Sequence, residues 1–247
     1  MFGKYDFSLA IDDGFLRLGV EKEEGLFVYH RDLGGHRKKK VLGIDSAQIR
    51  IHPIEPITVP KQISRYLEIG FDSVIVGPDS KKTLYLTFPV EIGVFLESGC
   101  SVEVLDTFSF VPSKYSLYGS PKTGVITKWH RSEVYGDIPA VDKRKYGVLQ
   151  LTIENPLQEF VEVSRTVFEG YGMVLHFDEQ LVAMSARMSI HSTVVAETSF
   201  LESPFREDMQ KGIEVLRAKK VPMVGRHKLP PLGGVEANVF LMEAGFV

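Results

Sequence analysis

The stretch that organises this chain of 247 residues runs Lys114-Tyr-Ser-Leu-Tyr118-Gly-Ser-Pro-Lys-Thr-Gly124-Val-Ile-Thr-Lys-Trp129-His130-Arg-Ser-Glu-Val-Tyr135-Gly-Asp137. It holds the only Trp, one of the seven His and three of the nine Tyr, so reactive side chains are concentrated here. Apolar segments that alternate with polar residues flank it on both sides. We therefore predict that the stretch joins two β-rich lobes, residues 1–112 and 113–247, and forms a functional surface at their junction.

Two strands and a turn are the predicted local structure of this stretch. The loop Gly119-Ser-Pro-Lys-Thr-Gly124 has the two glycines of a phosphate-binding loop, but Val125 and Ile126 stand where that motif requires Lys and then Ser or Thr. A turn between strands fits better. The strand after it alternates, with Val125, Thr127, Trp129 and Arg131 on one face and Ile126, Lys128 and His130 on the other.

The remaining chain predicts a mainly β protein with antiparallel β-sandwich architecture. Apolar and polar residues alternate at Thr83–Phe88 and at Met184–His191, and Gly and Pro separate short segments of this kind. The segment 204–219 is the exception. Ser203 and Pro204 resemble a helix start, and Met209, Ile213 and Leu216 recur at helical spacing, which predicts one helix near the C-terminus.

Charge and composition exclude several functional classes. The net charge is -3 and the isoelectric point is near 6.2, which argues against a nucleic-acid-binding protein. The basic run His36-Arg-Lys-Lys-Lys40 is therefore interpreted as a solvated loop rather than as a phosphate clamp. The single Cys100, the lack of a signal-like N-terminus and the lack of a long apolar run predict a cytoplasmic protein with no membrane partner. Two Asn beside abundant Lys and Glu favour a thermophile.

A non-enzymatic protein that binds a polar or anionic ligand, or a protein partner, is the first functional hypothesis. The hydroxyl, ammonium, imidazole and guanidinium donors proposed for this role are Tyr118, Ser120, Lys122, Lys128, His130 and Arg131. An enzyme acting on a phosphorylated or carbohydrate substrate is the alternative, with His130 as general base and Glu133 or Asp137 orienting it. Ordinary ion pairs are the commoner role of such residues. A third hypothesis is a structural or interaction subunit of a homo-oligomer.

The sequence offers no metal site and predicts no cofactor. No pair of His has the spacing of a helix-borne zinc site. His176 and His191 fall on neighbouring predicted strands, so they are the only candidates for a metal that we single out, and a structural role is the commoner one.

Two motifs carry a resemblance to a known family. Tyr118-Gly-Ser-Pro and Gly124-Val-Ile, within residues 114–129, are followed by Arg165-Thr-Val-Phe-Glu-Gly-Tyr-Gly172. The chain resembles, over nearly its whole length, an archaeal family catalogued as a domain of unknown function. The resemblance implies an archaeal, intracellular protein, and it implies no activity and no catalytic residues.

Overall fold

Every regular element of the described chain is a β-strand. The computed structural model describes residues 1–60, 63–99, 101–216 and 239–247. In chain order its strands are β1 (Gly3–Tyr5), β2 (Ala10–Asp12), β3 (Leu16–Glu23), β4 (Leu26–Leu33), β5 (His36–Leu42), β6 (Gln48–Ile54), β7 (Tyr66–Val76), β8 (Ser80–Pro89), β9 (Glu91–Ser98), β10 (Ser101–Ser109), β11 (Tyr115–Tyr118), β12 (Val125–Arg131), β13 (Tyr146–Asn155), β14 (Val161–Glu169), β15 (His176–Phe177), β16 (Val182–Ile190), β17 (Ala196–Leu201), β18 (Gln210–Lys211) and β19 (Val239–Met242). The prediction of a mainly β chain is confirmed. Among these residues there is no helix long and apolar enough to cross a membrane.

The strands form two compact units, each built from two segments of the chain. One unit contains residues 1–52 and 92–110, and the other contains residues 53–91 and 111–247. The predicted division of the chain into lobes at residue 112 stays a prediction.

The first unit contains two four-stranded sheets. Their orders are β1-β6-β9-β10 and β2-β3-β4-β5. The second sheet is an antiparallel meander, because short turns join successive strands, and Glu24 and Gly25 form one of these turns with positive φ.

The basic run forms strand β5 and not the predicted loop. Side chains of a strand alternate between its faces, so the charges divide into two sets. On one face Arg37 pairs with Asp32 at 2.8 Å, and Lys39 pairs with Glu23 at 2.7 Å. Partners on neighbouring strands thus compensate for the low strand propensity of Lys.

The other face of β5 contributes to a buried charged cluster around Asp106. The Asp106 carboxylate accepts hydrogen bonds from Tyr29 Oη (3.0 Å), Arg31 Nε (2.7 Å) and Lys38 Nζ (2.5 Å). Burial by itself would raise the pKa of Asp106, but the bonds from Lys38 and Arg31 outweigh it and hold this pKa below its usual value. Lys40 donates to the carbonyl oxygen of Leu105.

The second unit contains a four-stranded sheet and a larger one. The first has the order β11-β12-β7-β14; the second has the order β18-β15-β16-β13-β8, with β17 beside β16 and β19 beside β17. Pairing is mostly antiparallel, as predicted, but β12 runs parallel to β7 and β13 runs parallel to β16. Two parallel strands must be joined by a crossover connection. The chain between the parallel strands β13 and β16 includes β14, which pairs with β7 in the other sheet.

The predicted helix at 204–219 is wrong over the part that the structure describes. Residues 204–216 contain no helix, and residues 217–219 lie outside the described chain. Gly212 lies inside the predicted helix, where it disfavours helix formation. Its amide donates to Leu175 O at 2.8 Å, and a Cβ on it would lie 3.0 Å from Pro53 O. β18, just before it, pairs with β15. Tertiary backbone pairing has therefore replaced the local helical preference.

Candidate functional site

The β11–β12 hairpin forms the centre of the quoted stretch. Tyr115 pairs with Lys128 and Tyr118 pairs with Val125, so the loop 119–124 is the predicted turn between strands. Gly124 is required at the end of this turn, because a Cβ there would lie 2.5 Å from Tyr118 O. Residues 125–131 form strand β12, as predicted.

A buried ion pair anchors β12. Lys128 is 2% exposed and Glu91 is fully buried, and the Lys128 ammonium donates to the Glu91 carboxylate and to Val59 O (3.0 Å). The second carboxylate oxygen accepts the amides of Thr58 (2.8 Å) and Val59 (2.7 Å). Burial raises the pKa of Glu91 to about 7, although Lys128 and the two amides oppose that shift. Lys128, predicted as a ligand donor, thus has its ammonium engaged inside the protein.

The buried partner Glu91 was not predicted from the sequence, although the residues around it indicate a buried, paired carboxylate. It is the one carboxylate in the apolar run Phe88-Pro-Val-Glu91-Ile-Gly-Val-Phe95. A charge in such a run is costly unless it is paired, so it points to a partner elsewhere in the fold.

His130 is half-buried and has a hydroxyl partner. Its Nε2 lies 3.0 Å from Thr87 Oγ1, and its ring lies 5.7 Å from that of Tyr146. Burial, and then the charge of Lys114, lower the pKa of His130 to about 4, so the imidazole is neutral at pH 7. Glu133 is exposed and accepts a hydrogen bond from Tyr135 Oη (3.2 Å). Asp137 is exposed as well, and the structure records no bond from His130 to either carboxylate among the described residues.

The other predicted donors do not converge with Lys128 and His130. Tyr118 is buried, and its hydroxyl donates to Gly245 O at 2.9 Å. Ser120 and Lys122 are exposed in the hairpin turn. Arg131 pairs with Asp72 and donates to Phe71 O at 3.3 Å.

The two histidines singled out for a metal lie apart. His176 is buried on β15, and burial lowers its pKa below the usual value. It pairs with Ala183, whereas His191 follows the end of β16, which places it roughly 25 Å farther along that strand at about 3.3 Å per residue. No group of three or more His, Cys, Asp or Glu suited to a metal occurs among the described residues.

An apolar cavity of about 640 Å³ opens beside the start of β12. We call it the apolar cavity. Its lining residues are Ile57, Thr58, Ile63, Ser64, Arg65, Tyr66, Val125, Ile126, Tyr171, Val215 and Leu216. This volume lies within the range of small-molecule sites, and apolar walls with a few polar groups are typical of them. The stretch predicted from the sequence contains only the β12 wall of this cavity, Val125 and Ile126.

Arg65 is the one charged side chain in that described lining. Its guanidinium lies over the rings of Tyr66 (5.2 Å) and Tyr171 (6.0 Å), which orients it. Nε pairs with Glu169 at 3.2 Å, and Nε and Nη2 both donate to Tyr66 Oη. A guanidinium has five N–H donors, more than these contacts use, so donors remain for an acceptor.

Buried carboxylates fix the backbone at two further parts of the cavity lining. The Glu55 carboxylate is 2% exposed and accepts the amides of Val215 (3.1 Å) and Leu216 (3.0 Å). Burial raises the pKa of Glu55, and those amide bonds oppose the shift. Thr58, also in the lining, is fixed through its amide by Glu91. The cavity is thus framed by groups whose hydrogen bonds are already satisfied, which favours a preformed site.

Comparison with known proteins identifies the family of this chain. A family model described as a protein of unknown function (DUF432) matches residues 1–242. The chain belongs to the DUF432 family. The resemblance to a family of unknown function is therefore confirmed over almost the whole DUF432 chain. No curated protein and no solved structure matched it.

Proposed function

We propose that this DUF432 protein is a non-enzymatic β-sandwich protein that binds an amphipathic small molecule in the apolar cavity. The observation that carries the proposal is the cavity of about 640 Å³, whose apolar walls surround a single guanidinium. The apolar body of the ligand contacts Ile57, Ile126 and Leu216, and its polar or anionic end accepts a hydrogen bond from Arg65.

The cavity lies beside the stretch in which the sequence predicted the site, since Val125 and Ile126 belong to β12. The ligand donor that we propose is Arg65 rather than Lys128, because Lys128 is committed to Glu91. Composition and family resemblance support the further proposal of an archaeal, thermophilic source and a cytoplasmic location.

Binding of 1-anilinonaphthalene-8-sulfonate tests this function, because the probe combines aromatic rings with an anionic group. We expect the native protein to bind it saturably and Ile126→Lys to weaken binding about tenfold, since the substitution removes apolar contact and introduces a charge. Arg65→Gln should weaken binding as well, through loss of the cation. Fluorescence titration measures all three affinities.

Ile75→Lys is the matched control, because Ile75 is also an exposed isoleucine on a strand of the same sheet and does not line the cavity. Near-ultraviolet circular dichroism verifies that each variant keeps its tertiary packing, since loosened proteins also bind this dye. Equal affinities of the Ile126→Lys, Ile75→Lys and native proteins would refute the proposed site.

An enzyme acting on a phosphorylated or carbohydrate substrate is the second candidate, and one observation favours it. A neutral His130 within hydrogen-bond distance of the Thr87 hydroxyl is in the protonation state of a general base. p-Nitrophenyl phosphate and p-nitrophenyl glycosides are suitable probes. The enzyme hypothesis expects hydrolysis at pH 7 that His130→Gln abolishes and Glu133→Gln lowers; a rate unchanged by His130→Gln would exclude this role.

A further inference from the structure

A second cavity lies beside the start of β12 and the hairpin turn before it. It encloses about 410 Å³, and we call it the polar cavity. Its lining residues are Tyr118, Gly119, Ser120, Thr123, Gly124, Val125, Phe240, Leu241, Glu243 and Ala244. Two of the ligand donors predicted from sequence, Tyr118 and Ser120, therefore belong to this cavity and not to the apolar one.

Glu243 is the group in the polar cavity that remains available to a ligand. The Tyr118 hydroxyl is already engaged with Gly245 O and Ala244 N. The hydroxyls of Ser120 and Thr123 lie 2.8 Å apart and satisfy each other. Glu243 is exposed, is the only charged side chain in the described lining, and makes no ion pair with a described residue. Its carboxylate, with the Phe240 ring on the same wall, suits a cationic amine.

The two cavities are neighbours. Val125 lines both of them. The Tyr66 ring of the apolar cavity lies 5.2 Å from the Phe240 ring of the polar cavity. The Arg65 guanidinium lies 5.2 Å from the same Tyr66 ring. The two adjoining cavities therefore contribute one cation, Arg65, and one anion, Glu243, to a lining that is otherwise largely apolar.

We propose that the ligand of this surface is a short apolar peptide with free ends, with its carboxylate on Arg65 and its ammonium on Glu243. The inference rests on the proposed function and specifies the ligand class. The two cavities enclose about 640 and 410 Å³, which is room for several residues of an apolar peptide. Capture of a free terminus by a fixed charged or backbone group is a known mode of peptide recognition.

Trileucine is the probe for this inference, beside its N-acetylated and C-amidated forms. We expect the native protein to bind free trileucine about tenfold more tightly than either blocked form, because each block removes one charge-assisted contact. Glu243→Gln should abolish the preference for a free amino end, and Arg65→Gln should abolish the preference for a free carboxylate. Isothermal titration calorimetry measures each affinity.

Glu202→Gln is the matched control, because Glu202 is an exposed carboxylate of the same unit that lines neither cavity. Equal binding of free and N-acetylated trileucine, or an unchanged preference in Glu243→Gln, would overturn the peptide proposal. If the dye still binds in an Ile126-dependent manner while trileucine does not bind, the peptide inference fails and the proposed function stands. If neither binds, both fail.

Discussion

Lys128→Met is expected to lower the free energy of unfolding by about 3 to 5 kcal/mol at pH 8. The substitution leaves the fully buried Glu91 carboxylate without its counter-charge, and breaking a buried ion pair from one side has this cost. Urea unfolding followed by Trp129 fluorescence measures the loss in the unit that contains the pair. Because Trp129 is the only Trp and adjoins Lys128, its fluorescence reports unfolding around the ion pair.

The cost of Lys128→Met should be smaller at pH 5. The pKa of Glu91 in the folded protein, about 7, lies above the ordinary value of 4.5 that applies when the chain is unfolded. The folded state therefore binds an extra proton in this window, and the stabilisation from that proton is complete below pH 4.5 and lost as the pH rises through about 7. At pH 5 Glu91 is neutral, so removing the ammonium exposes no buried charge. Glu91→Gln should abolish this component of the pH dependence.

Two controls separate the pair from a general loss of charge. Lys122→Met removes an exposed Lys from the hairpin turn and should change stability by less than about 0.5 kcal/mol. The double variant Glu91→Gln/Lys128→Met removes both charges and should recover most of the loss. A Lys128→Met protein within about 1 kcal/mol of native at pH 8 would show that the ion pair does not hold β12.

Gly124→Ala is expected to lower the free energy of unfolding by about 2 to 4 kcal/mol and to impair dye binding. The added Cβ would lie 2.5 Å from Tyr118 O and 2.6 Å from Ser120 O, and both are backbone atoms that cannot rotate away. The hairpin turn must therefore open. Val125, the next residue, lines both cavities, so the shift should reach the binding surface. Thermal unfolding and the dye titration measure the two effects.

Gly136→Ala is the matched control for this turn, because a Cβ at Gly136 would meet no atom within 4 Å. It should leave both stability and dye affinity near their native values. Comparable losses in the two variants would mean that the close approach at Gly124 is not what constrains the hairpin.

Much of the fold followed from local patterns. Alternation predicted strand β12 and parts of β8 and β16, because this signal acts between residues close in the chain. The errors arose where residues distant in the chain determine the local structure. Strand β5 exists because its lysines meet Asp106 and Glu23, and residues 204–216 avoid a helix because β18 and Gly212 bond to distant backbone.

The predicted site stays a prediction, and its stretch lines parts of both cavities. The stretch 114–137 does contain the β12 wall of the apolar cavity and the Tyr118–Val125 wall of the polar cavity. Arg65 was missed because it follows the Pro-punctuated segment 53–60, which shows no functional motif. Lys128 looked like a surface donor because nothing local reveals Glu91, which lies 37 residues earlier in the chain.

The sequence alone determined that this chain is mainly β and located some of its strands, since periodicity and turn chemistry are properties of neighbouring residues. Only the tertiary structure decided which charges are buried against each other and which remain on a cavity wall. The physical reason is that the desolvation and pairing of a charge depend on atoms brought close by folding, not on the residues beside it in the chain.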